Sequence, residues 1–387
     1  MTTESSRYAQ LGASSSKAGM LRSLALPEAA RFFAEPMPDV CGDPDWYSVL
    51  HADGAGTKSI VAYLAWRESG DLRWFRSLAQ DSLVMNLDDV ACLGAFEGLA
   101  LSNTIGRNRS LIPDEVVGAV VAGYRDTVER LAGAGLRIHL AGGETADMGD
   151  AIRTLVVDST LFGRVRRSAA IDTTRITSGD IIIGLSNTGQ ATYEEHENSS
   201  IGSNGLTLAR HALIARALLV KYPEIVDPAL DPAATCQGRF GLFETPPGMT
   251  HSVAEALLSP TRTYAPIIRQ VHAALGRELH AAIHCSGGGA TKILRFGSRK
   301  HYIKDDLFPV PPLFTLIQAT LQIPWREMYS VFNMGHRMEI VCPAERWEAV
   351  AAIARSFRIE PRRIGYVSDS VERNRVTLKT PVGTFDY

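Results

Sequence analysis

An α/β (α+β) fold in two domains is what this sequence predicts. Short apolar runs alternate with stretches of helical periodicity along the whole chain, the pattern of sheets covered by helices. At 387 residues the chain is long enough to bury two cores. After Arg164-Val165-Arg166-Arg167 a polar stretch runs to Ser178-Gly179-Asp180, and the buried-looking run Ile181-Ile182-Ile183 then restarts the alternation. The boundary falls near residue 172, giving domains 1–172 and 173–387.

Taken in order, Tyr47 to Ala52 reads as a strand leading into the glycine turn Asp53-Gly54-Ala55-Gly56-Thr57-Lys58. Asp81 to Ala95 reads as a helix, because Leu83, Leu87, Val90 and Gly94 recur on one face. Asp114-Glu115 opens another helix, whose apolar residues Val117, Val120, Val121, Tyr124, Val128 and Leu131 keep helical spacing until Gly133 and Gly135 end it. Strands are expected over Leu136 to Ala141 and Ile152 to Thr160, and after the boundary over Ile181 to Ile183. The second half adds helices over 206–221 and 264–275, a strand ending at Ile283-His284 before a glycine loop, and a helix over 344–357 followed by two terminal strands. The run Phe308-Pro-Val-Pro-Pro-Leu313 suits a rigid lead-in to a helix better than a peptide ligand for another domain.

Composition excludes several classes of protein. Forty basic against 42 acidic residues leave a net charge of −2, so no general attraction to nucleic acid or anionic lipid is expected and any anion site must be local. The longest apolar runs fall far short of the ~20 residues that span a bilayer, and the polar amino terminus has no secretory core. Five cysteines, odd in number, scattered and without C-x-x-C spacing, argue against a disulfide framework or structural zinc and for a reducing cytoplasm. The five tryptophans show no base-stacking pattern and read as structural.

Four motifs carry chemistry. In Asp53 to Lys58 the glycines Gly54 and Gly56 let backbone amides approach phosphate, Thr57 and Lys58 add a donor and a charge, and Asp53 suits a hard cation. The spacing is not that of a Walker A loop, and a plain glycine turn is the alternative. Asp81 and Asp89 lie about two helical turns apart with Asp88 beside them, so either a cation neutralises them or they form a solvated acidic face. Gly142-Gly143-Glu144-Thr145-Ala146-Asp147 again sets carboxylates after two glycines, with a simple turn as the rival reading. In His284-Cys285-Ser286-Gly287-Gly288-Gly289 a strand runs into a loop whose amides suit an anion, and His284 is the one plausible acid/base residue, unless it merely holds the loop.

Together with Ser203-Asn204-Gly205, Pro260-Thr261-Arg262 and Phe332-Asn333-Met334-Gly335, these motifs in this order resemble the aminoimidazole ribonucleotide synthetase (phosphoribosylformylglycinamidine cyclo-ligase) family. The wider superfamily includes selenophosphate synthetase and thiamin-monophosphate kinase. The resemblance implies mixed sheets covered by helices, amino-terminal sheets pairing across a homodimer as a barrel, and a cofactor set of ATP and Mg2+. It implies a small-molecule partner, formylglycinamidine ribonucleotide, with neither nucleic acid nor membrane. By position, Asp53, Asp81, Asp89 and Glu144 would hold the metal; Lys17, Gly54, Gly56, Thr57, Lys58, Gly287, Gly288, Gly289 and Asn333 the nucleotide; and Ser203, Asn204 and Arg262 the substrate. His284 and Lys58 would serve catalysis. The chain departs from the family pattern at Asp88, where Asn is usual, at the segment after Phe96, at His336-Arg337, and in extra loops near 194–200 and 236–250. Two rivals follow: a kinase or synthetase of the same superfamily with another acceptor, and a non-catalytic nucleotide-binding paralogue.

Overall fold

A computed structural model describes residues 6–13 and 29–387. Lys17 lies outside them. The first sheet has five strands in the order β1-β2-β5-β3-β4, namely β1 (Met37–Pro38), β2 (Trp46–Gly54), β3 (Glu97–Arg107), β4 (His139–Asp147) and β5 (Leu155–Arg166). All neighbours are antiparallel except β3 and β4. In β5 a strict alternation buries Leu155, Val157, Ser159, Leu161, Gly163 and Val165. That face is covered by α1 (Lys58–Ser69), α2 (Arg73–Cys92) and α3 (Asp114–Gly133), whose Leu78, Leu83, Leu87, Val90 and Val120 join the core. Gly123 allows α2 and α3 to touch: a Cβ there would lie 2.1 Å from the Arg76 carbonyl oxygen. Among the described residues no helix covers the opposite face of the sheet; Leu50, in register with Phe162, is 59% exposed.

The second sheet has seven strands in the order β14-β13-β10-β12-β6-β11-β9. They are β6 (Ile181–Ser186), β9 (Ala281–His284), β10 (Lys300–Lys304), β11 (His336–Cys342), β12 (Pro361–Asp369), β13 (Arg375–Thr380) and β14 (Gly383–Asp386); Thr188–Gly189 and Asn198–Ser199 form a separate small ladder, β7 and β8. Only β10 and β13 run parallel. Central β6 and β11 are buried at every position, which is why Ile181-Ile182-Ile183 reads as a continuous apolar run. Besides a four-residue helical turn at Arg7–Gln10, the remaining α-helices are α4 (Leu206–Leu213), α5 (Arg216–Lys221), α6 (Val253–Leu258), α7 (Ala265–Leu275), α8 (Pro312–Leu321), α9 (Trp325–Val331) and α10 (Trp347–Ser356).

Several boundaries differ from expectation for local reasons. The helix expected from Asp81 begins eight residues earlier, at Arg73, because its first two turns pack through Trp74, Phe75 and Leu78. The helix expected over 206–221 is two helices: Ile214 is extended and its carbonyl accepts from Gly238 N at 3.0 Å, so the loop near 236–250 interrupts the helical ladder. Gly142 to Asp147 is not a loop but lies within β4 at the sheet edge, paired with Asn103 to Arg107. Three strands close the chain rather than two.

Candidate functional site

Helix α2 lies between the domains and presents different acids to each. Asp81 and Asp88, seven residues apart, face the segment 259–264 of the second domain. Asp81 Oδ1 accepts from Lys58 Nζ at 2.7 Å and from Thr261 N and Oγ1 at 2.8 and 2.6 Å, while Lys58 Nζ also donates to the Ser259 carbonyl at 2.5 Å. Asp88 Oδ1 accepts from Thr263 Oγ1 at 2.6 Å and Tyr264 N at 3.0 Å, and Arg337 reaches Oδ2 at 3.4 Å. Lys58, Asp81 and Asp88 have no solvent exposure. Burial pushes the Lys58 ammonium down and the Asp88 carboxyl up, each partly offset by its ionic partners.

This geometry corrects four expectations. Asp81, expected as a metal ligand, and Lys58, expected at the triphosphate and in catalysis, are a buried ion pair of the first domain that reaches the second through the Ser259 carbonyl and Thr261. Arg262, expected on substrate, is spent on Glu194, at 2.8 and 2.5 Å, and on the carbonyls of Ser186, Thr188 and Gly189. Asn333, expected at the nucleotide, donates to the Ser200 carbonyl and accepts from Asn187 and Gly335 N.

Asp89, one residue further round α2, points elsewhere. Its Oδ1 accepts from His284 Nδ1 at 2.6 Å and its Oδ2 faces His51 Nε2 at 3.2 Å. His51 sits on β2, and its Nδ1 meets Asn86 Oδ1 at 2.9 Å; Asn86 spends its amide donors on the carbonyls of Asp53, Ser82 and Ser159. Both His51 nitrogens therefore face acceptors, the arrangement of an imidazolium. Burial opposes its charge most strongly of any one cause, but the bond to and charge of Asp89, the bond to Asn86 and the charge of Asp53 together raise its pKa. Burial likewise opposes the charge on Asp89, yet the bonds from His284 and His51 hold its carboxyl far below the usual range. His284 is fully buried and its Nε2 has no partner. With Nδ1–H on Asp89, that Nε2 is a lone pair in the neutral ring.

The glycine loop follows directly. Gly287, Gly288 and Gly289 have φ of +66°, +150° and +51°, and a Cβ on Gly289 would lie 2.4 Å from the Phe332 carbonyl oxygen. Lys292 lies beside this loop, its Nζ 4.0 Å from the Cβ position of Gly287. On the first domain, the turn of Gly54, Gly56 and Thr57 meets the start of α4, where Thr57 Oγ1 is 3.3 Å from Thr207 Oγ1. Ser203 Oγ bonds Thr261 Oγ1 at 3.1 Å, and Asn204 donates to the Val331 carbonyl at 2.8 Å. Asp53 is exposed, and the exposed Asp158 on β5 lies opposite Gly54, its carboxyl raised by burial and by the charge of Asp53. Glu144 is exposed on β4, in register with Thr104, Asp158 and Gly54 across β3, β5 and β2. Three strand spacings of about 4.8 Å each place it beyond a coordination sphere shared with Asp53.

His51, Asn86, Asp158 and Lys292 were missed by the sequence reading. His51 stands two residues before Asp53, and on a strand i and i+2 share a face, so that signal was available. Asp158 comes from the expected strand 152–160 but joins Asp53 only through the β2–β5 register, which no local pattern encodes.

Two mixed sheets that set a carboxylate–histidine pair and a glycine loop between them define a two-domain α/β protein with its reactive groups at the domain junction. The AIR synthase related protein N-terminal domain matches residues 37–165 and the corresponding C-terminal domain residues 177–377, so the chain belongs to the AIR synthase related family. The phosphoribosylformylglycinamidine cyclo-ligase of Methanocaldococcus jannaschii is 30% identical over 330 residues, covering 85% of this chain and 81% of that protein. That of Pyrococcus horikoshii is 28% identical over 383 residues, 95% of this chain and 97% of the relative. The solved structure "AaThiL complexed with AMPPCP and TMP" shares the fold, with a TM-score of 0.52 at 13% identity over 95% of this chain and 94% of that one.

Proposed function

We propose that this chain closes formylglycinamidine ribonucleotide to aminoimidazole ribonucleotide, using ATP and releasing ADP and phosphate. The observation that supports this most directly is the 2.6 Å contact between Asp89 of the first domain and His284 at the glycine loop of the second, in a chain whose relatives carry the name of that cyclo-ligase. An amide oxygen is a poor leaving group. Transfer of the γ-phosphoryl group to the formyl oxygen turns it into phosphate, and attack by the amidine nitrogen of the same molecule then forms the ring C–N bond as the C–O bond breaks. Because that attack is intramolecular, the protein has mainly to hold geometry and balance charge.

In this reading His284 Nε2 takes the proton of the attacking nitrogen, while Asp89 fixes the ring and stabilises its charged form. His51 keeps Asp89 ionised. The amides of Gly287 to Gly289 and the ammonium of Lys292 receive phosphate oxygens, and the turn of Gly54, Gly56 and Thr57 approaches from the other domain. Ser203 and Asn204 stand at the start of α4 on the substrate side. Asp53 and Asp158, two exposed carboxylates whose repulsion a hard cation would relieve, fit magnesium, which when bound neutralises phosphate charge. Asp89 has both oxygens engaged by imidazoles and serves here to orient them.

The open face of the first sheet is proposed to pair with that of a second copy. The cysteines are free thiols, and no helix among the described residues is long and apolar enough to cross a membrane, so a cytoplasmic enzyme is the proposed form. Incubation with magnesium, ATP and formylglycinamidine ribonucleotide should yield aminoimidazole ribonucleotide and ADP in equal amounts. ADP formed only with a different acceptor would replace the cyclase reading with that of a kinase.

A further inference from the structure

Two departures from the family pattern, Asp88 on α2 and Arg337 on β11, meet in the structure. Arg337 Nη2 reaches Asp88 Oδ2 at 3.4 Å and donates to the Arg262 carbonyl. The backbone aims it there. Arg337 and its neighbour Met338 both touch α2, the second through a 3.8 Å contact of its Sδ with Cys92 Sγ, whereas regular alternation would send them to opposite faces. The register break between His336 and Met338 puts both on the face of the domain junction. The guanidinium is only partly used: Arg337 is 3% exposed, its Nε is buried without a partner, and its Nη1 has no hydrogen bond to any described residue. Arg262, by contrast, has all three of its nitrogens engaged. Nη1 of Arg337 lies against Gly202, where a Cβ would be 2.9 Å from it and 3.5 Å from Arg337 Cδ. Gly202 is not in the left-handed region that demands glycine, so its missing side chain serves to admit the guanidinium. Three residues on, Gly205 begins α4, whose first turn has no side-chain cap, the setting in which helix N–H groups take an anion.

We infer that Arg337 is a further substrate-contacting residue, and that it and the amino end of α4 receive the oxygens of a phosphoryl group, the phosphate ester of the ribonucleotide substrate. The inference rests on the cyclase reading and adds to it the cation that Arg262 does not supply. A guanidinium suits phosphate oxygens better than a point charge does, because its donors are fixed in a planar fork. Asp88 has a separate part. A buried guanidinium with no counter-charge is costly before substrate arrives, and Asp88, held by Thr263 Oγ1 at 2.6 Å and Tyr264 N at 3.0 Å, supplies that charge from the α2 side. The asparagine usual at this position could accept a hydrogen bond but would carry no charge.

The test is calorimetric titration of the whole chain with three probes: formylglycinamidine ribonucleotide, the corresponding ribonucleoside without its phosphate, and a non-hydrolysable ATP analogue with magnesium. The wild-type chain should prefer the ribonucleotide to the ribonucleoside by at least about tenfold, and Arg337→Gln should abolish that preference while leaving affinity for the ATP analogue as it was. Should Arg337→Gln fail to fold because Asp88 is stranded, the double variant Asp88→Asn, Arg337→Gln removes both charges and should give the same result. Affinity lost for the ATP analogue alone would support the phosphoryl contact with the nucleotide, not the ester, as its source. A ribonucleotide preference and an analogue affinity that both survive the substitution would overturn the role of Arg337 and leave the cyclase reading standing. A wild-type chain that binds neither ribonucleotide nor ribonucleoside would overturn both.

Discussion

Asp89 engages two imidazoles at once, and that double engagement makes it the most sensitive single residue of the site. Replacing it with Asn keeps the shape but puts an NH2 group opposite one of the ring N–H donors. We expect Asp89→Asn to lower kcat by about 10²- to 10⁴-fold, the range for general acid–base contributions, with an unchanged far-ultraviolet dichroism spectrum. A second readout separates orientation from mere proximity. His51 has a raised folded-state pKa, so its charged contact with Asp89 is fully present below the unfolded value of about 6.5 and is lost as pH rises through the higher folded value. An NMR titration of His51 should therefore show a midpoint above about 6.5 that falls in Asp89→Asn; a midpoint unmoved by the substitution would exclude the proposed coupling. The neighbouring acids differ sharply. Asp53→Asn should raise the magnesium concentration needed for half-maximal turnover, measured as ADP release, without lowering the thermal midpoint, because the Asp53 side chain is exposed and accepts from its neighbour Gly54 N. Which acid of the first domain ties the domains and which orients a histidine depends on about 100° of helix rotation per residue, so composition and motif spacing revealed the cluster while the roles stayed hidden.

At the scale of elements, α1, α2 and the segment 259–264 form one mechanical unit, joined by Asp81–Thr261, Lys58–Ser259 and Asp88–Thr263 around the Lys58–Asp81 pair. Breaking a buried pair from one side leaves an uncompensated charge, so Lys58→Met should cost about 3–5 kcal/mol. Adding Asp81→Leu in the same chain should restore much of that loss, since an apolar pair removes the stranded carboxylate. Denaturant midpoints of the two single variants and the double variant form the cycle; additive losses would show that the pair is not coupled. The motif Asp53 to Lys58 was readable as a glycine turn before a helix, and it is one. What periodicity could not reveal is that its last residue turns inward, 0% exposed, to meet a carboxylate 23 residues on. The same holds for Arg262, whose charge suggested an anion and whose partners are three carbonyls and Glu194. Alternation along β5 and β6 was legible because one or both faces are covered; Gly142 to Asp147 was not, because β4 is exposed at nearly every position and pairs on one side only.

For the whole molecule, two domains and a mixed sheet in each were legible from the restart of the pattern near Ile181, whereas strand order depends on pairings such as β3 with β5 that lie some 50 residues apart. The open face of the first sheet carries the remaining consequence. Leu50 at 59% and Val156 at 37% exposure lie on it, with Phe162 and Ala100 in register with Leu50 across β5 and β3. A sheet with one apolar face left uncovered is completed most simply by a copy of itself about a two-fold axis, because the same patch then buries on both sides. Leu50→Glu places a charge opposite its own symmetry-related surface and leaves the monomer core intact, since Leu50 points away from α2. We expect the wild-type chain to sediment as a dimer at micromolar concentration and Leu50→Glu as a folded monomer, with dissociation strengthened by at least about 100-fold, or roughly 2.7 kcal/mol. Should Asp158, which lies on that face in register with Gly54, require the second copy to hold magnesium, the specific activity of Leu50→Glu would rise with protein concentration as the dimer reforms. A wild-type chain that sediments as a monomer across this range, with activity independent of concentration, would show that the open face has another use.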